Sequence, residues 1–173
     1  MKYLVFSDLH GSAQGLVLLR DAVIRENPDI ILCLGDILYG AYDGDINACS
    51  EYLLSVSSRL IAVRGNCDWS YDQARIGFAL PEERVLKAFG HTLYLQHTPF
   101  WRSFKAGDIA ISGHTHVKTL FEENGVIHLN PGSIGKPRDG SYSYAIMDER
   151  GIALIDADRG KPLDLLGFLP SYG

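Results

Sequence analysis

The sequence predicts an α/β protein in which two β-sheets pack together with helices outside. Three observations predict it. Residues 2–63 alternate short apolar runs with helical patterns, the order expected of parallel strands joined by right-handed crossovers. The second half instead sets apolar runs close together across short turns, as hairpins do. A chain of 173 residues holds one core of ordinary size rather than two, so both patterns are assigned to a single domain spanning 1–173.

The elements follow in order. Lys2 to Phe6 is an apolar run of strand length. Ser12 then caps a helical pattern reaching about Glu26, with Leu16, Leu19 and Val23 on one face and Asn27-Pro28 as its stop. Ile30 to Leu34 is the second run. Asp45 opens another helical pattern, with Ile46, Cys49, Leu53 and Val56 spaced by three and four, before a third run at Leu60 to Val63. Arg84–Phe89 and Thr92–Gln96 flank Gly90-His91 as a tight hairpin. Ile109 to Ile111 is short and apolar. Lys118–Glu122 and Val126–Leu129 flank Glu123-Asn124-Gly125, whose Asn-Gly pair suits positive φ angles; Tyr142–Met147 and Ile152–Asp156 flank Asp148-Glu149-Arg150-Gly151.

Composition excludes several classes of function. Apolar residues at 46% and charged residues at 21% exclude a disordered chain. A net charge of -5 without a basic run excludes electrostatic capture of nucleic acid or of an anionic membrane. The longest stretch free of Asp, Glu, Lys and Arg, Ala88 to Trp101, has 14 residues, short of the roughly 20 that span a bilayer. The N-terminal apolar run turns polar at Ser7-Asp8, too early for a signal peptide, so a cytoplasmic location is expected. Cys33, Cys49 and Cys67 show no C-x-x-C spacing, and neither a disulfide framework nor a thiolate metal site is indicated. Cys33 and Cys49 lie within apolar patterns and read as core.

Chemistry is concentrated where apolar runs end. Leu4-Val5-Phe6 ends in Ser7-Asp8-Leu9-His10, Ile31-Leu32-Cys33-Leu34 in Gly35-Asp36, and Ile61-Ala62-Val63 in Arg64-Gly65-Asn66. Leu93-Tyr94-Leu95 ends in Gln96-His97, and Ile109-Ala110-Ile111 in Ser112-Gly113-His114-Thr115-His116. Ligands of open α/β sheets bind beyond the carboxyl ends of strands, so seven candidate metal ligands converge if the runs are neighbours. In Asp8-x-His10 and His114-x-His116 an extended backbone points both side chains the same way. Gly35, Gly65 and Gly113 precede ligands where the chain must turn sharply or pass close to the site. Carboxylate, amide and imidazole donors without sulfur suit manganese, iron, nickel or zinc. Seven ligands exceed one tetrahedral ion, and a shared carboxylate can join two ions, an arrangement suited to hydrolysing a phosphate ester.

These ordered motifs, Asp8-x-His10, Gly35-Asp36, Gly65-Asn66, His97 and Gly113-His114-Thr115-His116, resemble those of the calcineurin-like metallophosphoesterases. The match runs from residue 8 to 133, and the short chain resembles the small YfcE-type phosphodiesterases of bacteria and archaea. The resemblance implies a four-layer fold, a two-sheet sandwich flanked by helices. It implies two divalent ions, manganese first, with Asp8, His10 and His116 on one, Asn66, His97 and His114 on the other, and Asp36 bridging. It further implies hydrolysis of a small phosphoester, most readily a phosphodiester, by a hydroxide bridging the metals, with Asp36 and Asn66 catalytic, and a homo-oligomer, dimer or tetramer.

Two departures qualify the resemblance. Where many members carry a histidine after the asparagine, this chain has Cys67, also named as a catalytic and substrate-contacting candidate; it cannot act as a cationic donor, which favours good leaving groups. The fourth motif lacks its usual glycine, reading His97-Thr98-Pro99, and His97 is preferred to His91 because it ends rather than begins its strand. His91 and His128 are assigned to structure. Asn130-Pro131-Gly132-Ser133 reads equally as ordinary turn chemistry and as a loop near the site. Ser133 and Arg138 are candidate substrate contacts, and the amides opening the helix after His10 are a candidate phosphate site. Trp69 and Tyr71 form either an aromatic wall or a cover for the core. A nuclease lacks the basic stripe it would need. The competing class is a non-catalytic protein-binding scaffold of the same fold, like the retromer subunit.

Overall fold

The computed structural model describes residues 1–168, and the last five positions of the expected 1–173 domain lie outside it. Strand β1 (Tyr3–Phe6) leads to helix α1 (Ala13–Glu26), β2 (Ile30–Cys33), α2 (Ile46–Ser55), β3 (Leu60–Ala62) and α3 (Asp72–Ile76). There follow β4 (Glu83–Ala88), β5 (His91–Gln96), β6 (Asp108–Ile111), β7 (Thr119–Glu123) and β8 (Val126–Asn130), then β9 (Ser143–Asp148), β10 (Gly151–Asp156) and β11 (Lys161–Gly167). Local signals set several boundaries. The Ser12 hydroxyl accepts the Gly15 N–H at the start of α1, and Asn27 ends that helix in the left-handed region. Asp45 caps α2 by accepting the Ala48 N–H.

Six strands form one sheet in the order β11-β10-β9-β1-β2-β3, and five form the other in the order β4-β5-β6-β8-β7. β1, β2 and β3 run parallel through the expected helical crossovers, with Val5 opposite Leu32 and Leu32 opposite Ile61. The three expected hairpins are present, β4–β5, β7–β8 and β9–β10. The first turns on Phe89-Gly90 rather than Gly90-His91, because Phe89 and Gly90 take the two positive φ angles while His91 already pairs with Ala88. β5 also runs parallel to β6, and β6 to β8, without any helix between them.

Alternation along the strands divides the core. Leu4 and Phe6 of β1, Ile31 and Cys33 of β2, and Tyr144 and Ile146 of β9 pack against the helices, together with Leu19, Leu53 and Ile76. Their neighbours Tyr3, Val5, Leu32, Ala145 and Met147 face the second sheet, where Leu93, Leu95, Ile109, Ile111, Ile127 and Leu129 meet them. Side chains on a strand alternate between faces, so the first sheet is apolar on both sides and sits centrally. All three helices pack on that first sheet. Part of the outer face of the second is covered by the connection after β5, where Phe104 contacts Tyr94 and Phe100 at ring separations of 5.1 Å. The expected two-sheet sandwich flanked by helices is thus present, with its helices on the first sheet.

Candidate metal centre

Parallel strands end at the same edge of a sheet, and that edge gathers the polar strand endings. The Asp8 N–H donates to the Gly35 carbonyl at 3.1 Å and the His10 N–H to the Asp36 carbonyl at 2.9 Å, joining the first two loops. The Gly113 N–H donates to the His97 carbonyl at 2.9 Å, joining the fourth and fifth. The two sheets meet through His97, whose Nδ1 bonds the Leu34 carbonyl at 2.6 Å, and through the His114 N–H, which donates to Asp8 Oδ2 at 3.1 Å. Two glycines permit this approach. A Cβ on Gly65 would stand 2.2 Å from the Asp36 backbone nitrogen, and one on Gly113 would stand 2.0 Å from Ser7 Oγ.

All seven candidate ligands come together, in two groups. Asp8, His10, Asp36 and His116, all buried, offer donor atoms that lie within 4.8 Å of one another. His10 Nε2 stands 3.2 Å from His116 Nε2, and His116 Nε2 stands 3.3 Å from Asp8 Oδ1. In the second group Asn66 Oδ1 lies 3.0 Å from His97 Nε2 and 2.7 Å from His114 Nδ1. One oxygen serves both: Asp36 Oδ2 is 3.7 Å from His10 Nε2 and 3.4 Å from His97 Nε2.

The surrounding hydrogen bonds fix how the imidazoles face. Nδ1 of His10, His97 and His116 each meets a backbone carbonyl, of Tyr39, Leu34 and Lys136, at 2.5, 2.6 and 2.6 Å. A carbonyl only accepts, so each Nδ1 carries a proton, and in its neutral form each ring turns an Nε2 lone pair inward, the form that binds metal; on His97 a second proton, shared with Asp36, must leave first. Asp8 Oδ1 is buried with no hydrogen-bond partner. An orphaned carboxylate oxygen facing inward imidazole lone pairs is destabilising without a cation, and the donor set fits a hard or borderline divalent ion.

Acidities follow the same geometry. Burial pulls the Asp36 carboxyl upward, but the His97 hydrogen bond and charge, the Cys67 N–H and His10 outweigh it and hold the carboxyl at about 2. Burial pulls His97 down, and Asp36, through its hydrogen bond and charge, raises it above its ordinary value. His116 is held below its ordinary value, first by burial, with the His10 and Arg138 charges adding to that. Burial and the charge of Asp36 push the Cys67 thiol up to about 11.

Several expectations change. The ligand pairs do not lie on extended backbone: Asp8, His10, Asp36, His114 and His116 all have φ between 53 and 68°. The chain has left its strands there, and left-handed turns rather than strand alternation aim the pairs inward. The helix start after His10 is not open to phosphate, since the Gly11 and Ser12 N–H groups bond Ile37 and Leu9 carbonyls and the Asp43 carboxylate takes the Gln14 N–H. Ser133 is fully buried and cannot reach a substrate; its hydroxyl donates to the Asp8 carbonyl and accepts the Lys136 N–H. Asn130 likewise supports, donating to the Gly113 carbonyl at 2.8 Å. Arg138 is exposed, with its N–H on the His116 carbonyl. His91 lies at the opposite end of β5, against Phe168 and the Gly107 carbonyl. His128 stacks on Phe121. Trp69 and Tyr71 are 59% and 63% exposed and stacked on each other, so they do not cover the core.

One residue escapes the sequence reading. Asp68 is buried and accepts N–H groups from Asp36, Ile37 and Gly65, each at 2.8 Å, so one carboxylate clamps the ends of β2 and β3. Its place in Gly65-Asn66-Cys67-Asp68 was the available signal, because a carboxylate beside a glycine turn commonly caps free amides.

Comparison with known proteins adds a lineage. A family model for the calcineurin-like phosphoesterase superfamily domain matches residues 1–151. Phosphodiesterase YfcE of Escherichia coli strain K12 is 28% identical over 174 aligned positions, which cover 90% of this chain and 91% of that protein. The structure of YfcE, a phosphoesterase from E. coli, superposes with a TM-score of 0.91 over 98% of this chain and 100% of that one, at 24% identity. Vps29 from Cryptosporidium parvum superposes with a TM-score of 0.69 over 96% of this chain and 97% of that one, at 23% identity. At these identities the structural likenesses speak for the fold alone.

Proposed function

The chain belongs to the calcineurin-like phosphoesterase superfamily, and from that premise we propose that it hydrolyses phosphodiesters with the help of two divalent metal ions. The observation that carries this is the single oxygen, Asp36 Oδ2, facing His10 on one side and His97 on the other. Asp8, His10 and His116 would hold one ion, Asn66, His97 and His114 the other, and Asp36 both. Manganese is the first choice, with iron, nickel and zinc suited to the same oxygen and nitrogen donors. Bound there, the ions would supply a hydroxide nucleophile at neutral pH and positive charge for the phosphoryl oxygens.

The chain's own residues do the rest. Carbonyls of Tyr39, Leu34 and Lys136 hold three imidazoles in one tautomer. Asp68 keeps Asp36 and Gly65 in register. Cys67, with its thiol held protonated, can donate only a weak hydrogen bond and no positive charge, which favours leaving groups that depart without a proton. Arg138, exposed beside His116, is the candidate side-chain cation for the phosphate. The similarity to a protein named a phosphodiesterase supports diesters over monoesters. No helix among the described residues is long and apolar enough to cross a membrane. The proposal is completed by a cytoplasmic location, supported by three unpaired cysteines, by residues 1–173 acting as one domain, and by a homo-oligomer, dimer or tetramer.

The test is hydrolysis of bis-p-nitrophenyl phosphate with and without added Mn(II). Activity should require the metal, and Asp36→Asn should lower it by about 100-fold or more while reducing the bound metal. A wild-type protein that takes up Mn(II) yet hydrolyses nothing, and binds a protein partner without metal, would establish the scaffold instead.

A further inference from the structure

A cavity of about 290 Å³ adjoins the second group of ligands, lined by Arg64, Asn66, Glu82, Gln96, His97 and Thr98. Its position is set by strands rather than by a free loop. Arg64 follows β3 of the first sheet, and Gln96 and Thr98 sit at and just past the end of β5 in the second. The Arg64 N–H donates to the Pro81 carbonyl at 2.8 Å, tying the end of β3 to the start of the β4–β5 hairpin, where Glu83 pairs with Gln96. The cavity therefore opens along the seam between the sheets, with two proposed metal ligands in its wall.

The lining side chains are all polar. Arg64 is ion-paired with Glu82, so the two charged side chains of the lining are opposite in sign. Gln96 Nε2 lies within hydrogen-bond reach of the Thr98 carbonyl and hydroxyl, at 3.2 and 3.1 Å. The wall thus mixes guanidinium and amide donors with carboxylate, amide and hydroxyl acceptors. An apolar group placed there would strip water from these atoms and return no hydrogen bonds, whereas a group with several hydroxyls can donate and accept at once. A neutral arm suits the lining better than a second phosphate, because the Glu82 carboxylate stands beside Arg64 and would repel a further anion. The volume lies at the small end of ligand pockets, so the part of a guest that it holds is small.

We propose that this cavity is the subsite for one alcohol arm of the phosphodiester, and that it selects a small, neutral, hydroxylated arm, glycerol- or sugar-like, over an apolar one. The inference rests on the phosphodiesterase proposal above and names the substrate class of that site. Arg64, Glu82, Gln96 and Thr98 are specificity residues that would touch the arm rather than the phosphorus.

The test compares two phosphate monoesters that share a phosphate and differ in the arm. Calorimetric titration of the Mn(II)-loaded, full-length protein with glycerol 3-phosphate and with ethyl phosphate should show glycerol 3-phosphate binding about tenfold more tightly. In Gln96→Leu, and independently in Thr98→Val, that ratio should collapse towards one, while circular dichroism and metal content stay as in the wild type. Equal binding of the two esters by the wild type, or a preference that survives both substitutions, overturns the subsite. The phosphodiesterase proposal is judged separately, by turnover of bis-p-nitrophenyl phosphate in the same preparation. A hydrolase without the arm preference refutes only the subsite, and a protein without turnover refutes the reading beneath it.

Discussion

His97 and Asp36 move each other's acidity in opposite directions, and the consequence is measurable without substrate. Asp36 is lowered from its ordinary 3.8 to about 2, so its share of the stability is present above 3.8 and lost as pH falls towards 2. His97 is raised above its ordinary 6.5, so its share is complete below 6.5 and lost as pH rises through the raised value. The metal-free protein therefore gains most from this pair between about pH 4 and 6.5. A metal must displace the His97 proton, so Mn(II) affinity should climb with pH and level off only above the raised value. Titrations at fixed ionic strength should place that inflection above 6.5; an inflection at or below 6.5 would contradict the shift. At the neighbouring position, Cys67→His should raise turnover of simple alkyl monoesters by about 10-fold or more, because imidazolium is a much stronger general acid than a thiol held near 11 and brings a positive charge to the leaving oxygen. Unchanged or lower turnover with both ions still bound would remove position 67 from leaving-group chemistry.

At the scale of elements, the strand endings show what a sequence can and cannot reveal. An apolar run followed by Asp, Asn or His is a local pattern, which is why all seven candidate ligands are legible, as are α1, α2 and three hairpins. Neighbour relations are not local. Nothing in Ile109-Ala110-Ile111 says that β6 lies parallel to β5 and β8, since that pairing depends on burial across the whole sandwich. α3 spans only Asp72–Ile76, too short for a periodic pattern, and β11 is an exposed edge strand carrying Pro162 and Asp164, residues that argue against a strand when read alone. Left-handed geometry at the ligands is equally silent, because Asp and His adopt it without a distinctive neighbour. The glycines before ligands are legible, and they differ in kind from turn glycines. Gly65→Ala would set a Cβ against the Asp36 backbone and should lower the stability by about 3 kcal/mol or more. Gly90→Ala has nothing within 4 Å and only its φ of 80° to strain, which costs about 1 kcal/mol. Urea unfolding of the two variants separates close approach from conformation, and equal losses would contradict the packing argument.

For the whole molecule, the proposed centre is also where the sandwich is stitched together. Its ligands follow five strands drawn from both sheets, so ions bound there would tie the sheets as well as activate water. An ion that binds only the folded state stabilises it by about 2.7 kcal/mol when present at 100 times its dissociation constant. For a chain of this length that corresponds to a Tm increase of about 5–10 °C. Thermal unfolding with Mn(II) and after chelation should differ by at least this much, and the difference should shrink in Asp36→Asn. Coincident transitions would mean that the sheets are held by Leu93, Ile109, Val5 and their neighbours alone. The charge of -5 fits this picture, since two divalent ions would bring it to -1 and supply locally the positive charge that the surface lacks.

The left-handed backbone at five of the seven proposed ligands restricts what can replace them. Among side chains that bind metals, Asp, Asn and His tolerate that conformation best, and it is costly for Cys and Glu. Attempts to retune the centre with a thiolate for softer metals, or with a longer carboxylate for a larger ion, would strain the main chain before coordination chemistry had any say. The repertoire of donors is thus narrowed by torsion angles as well as by affinity, and directed evolution of metal preference should proceed mainly through residues around the ligands, such as Asp68, Asn130 and Ser133.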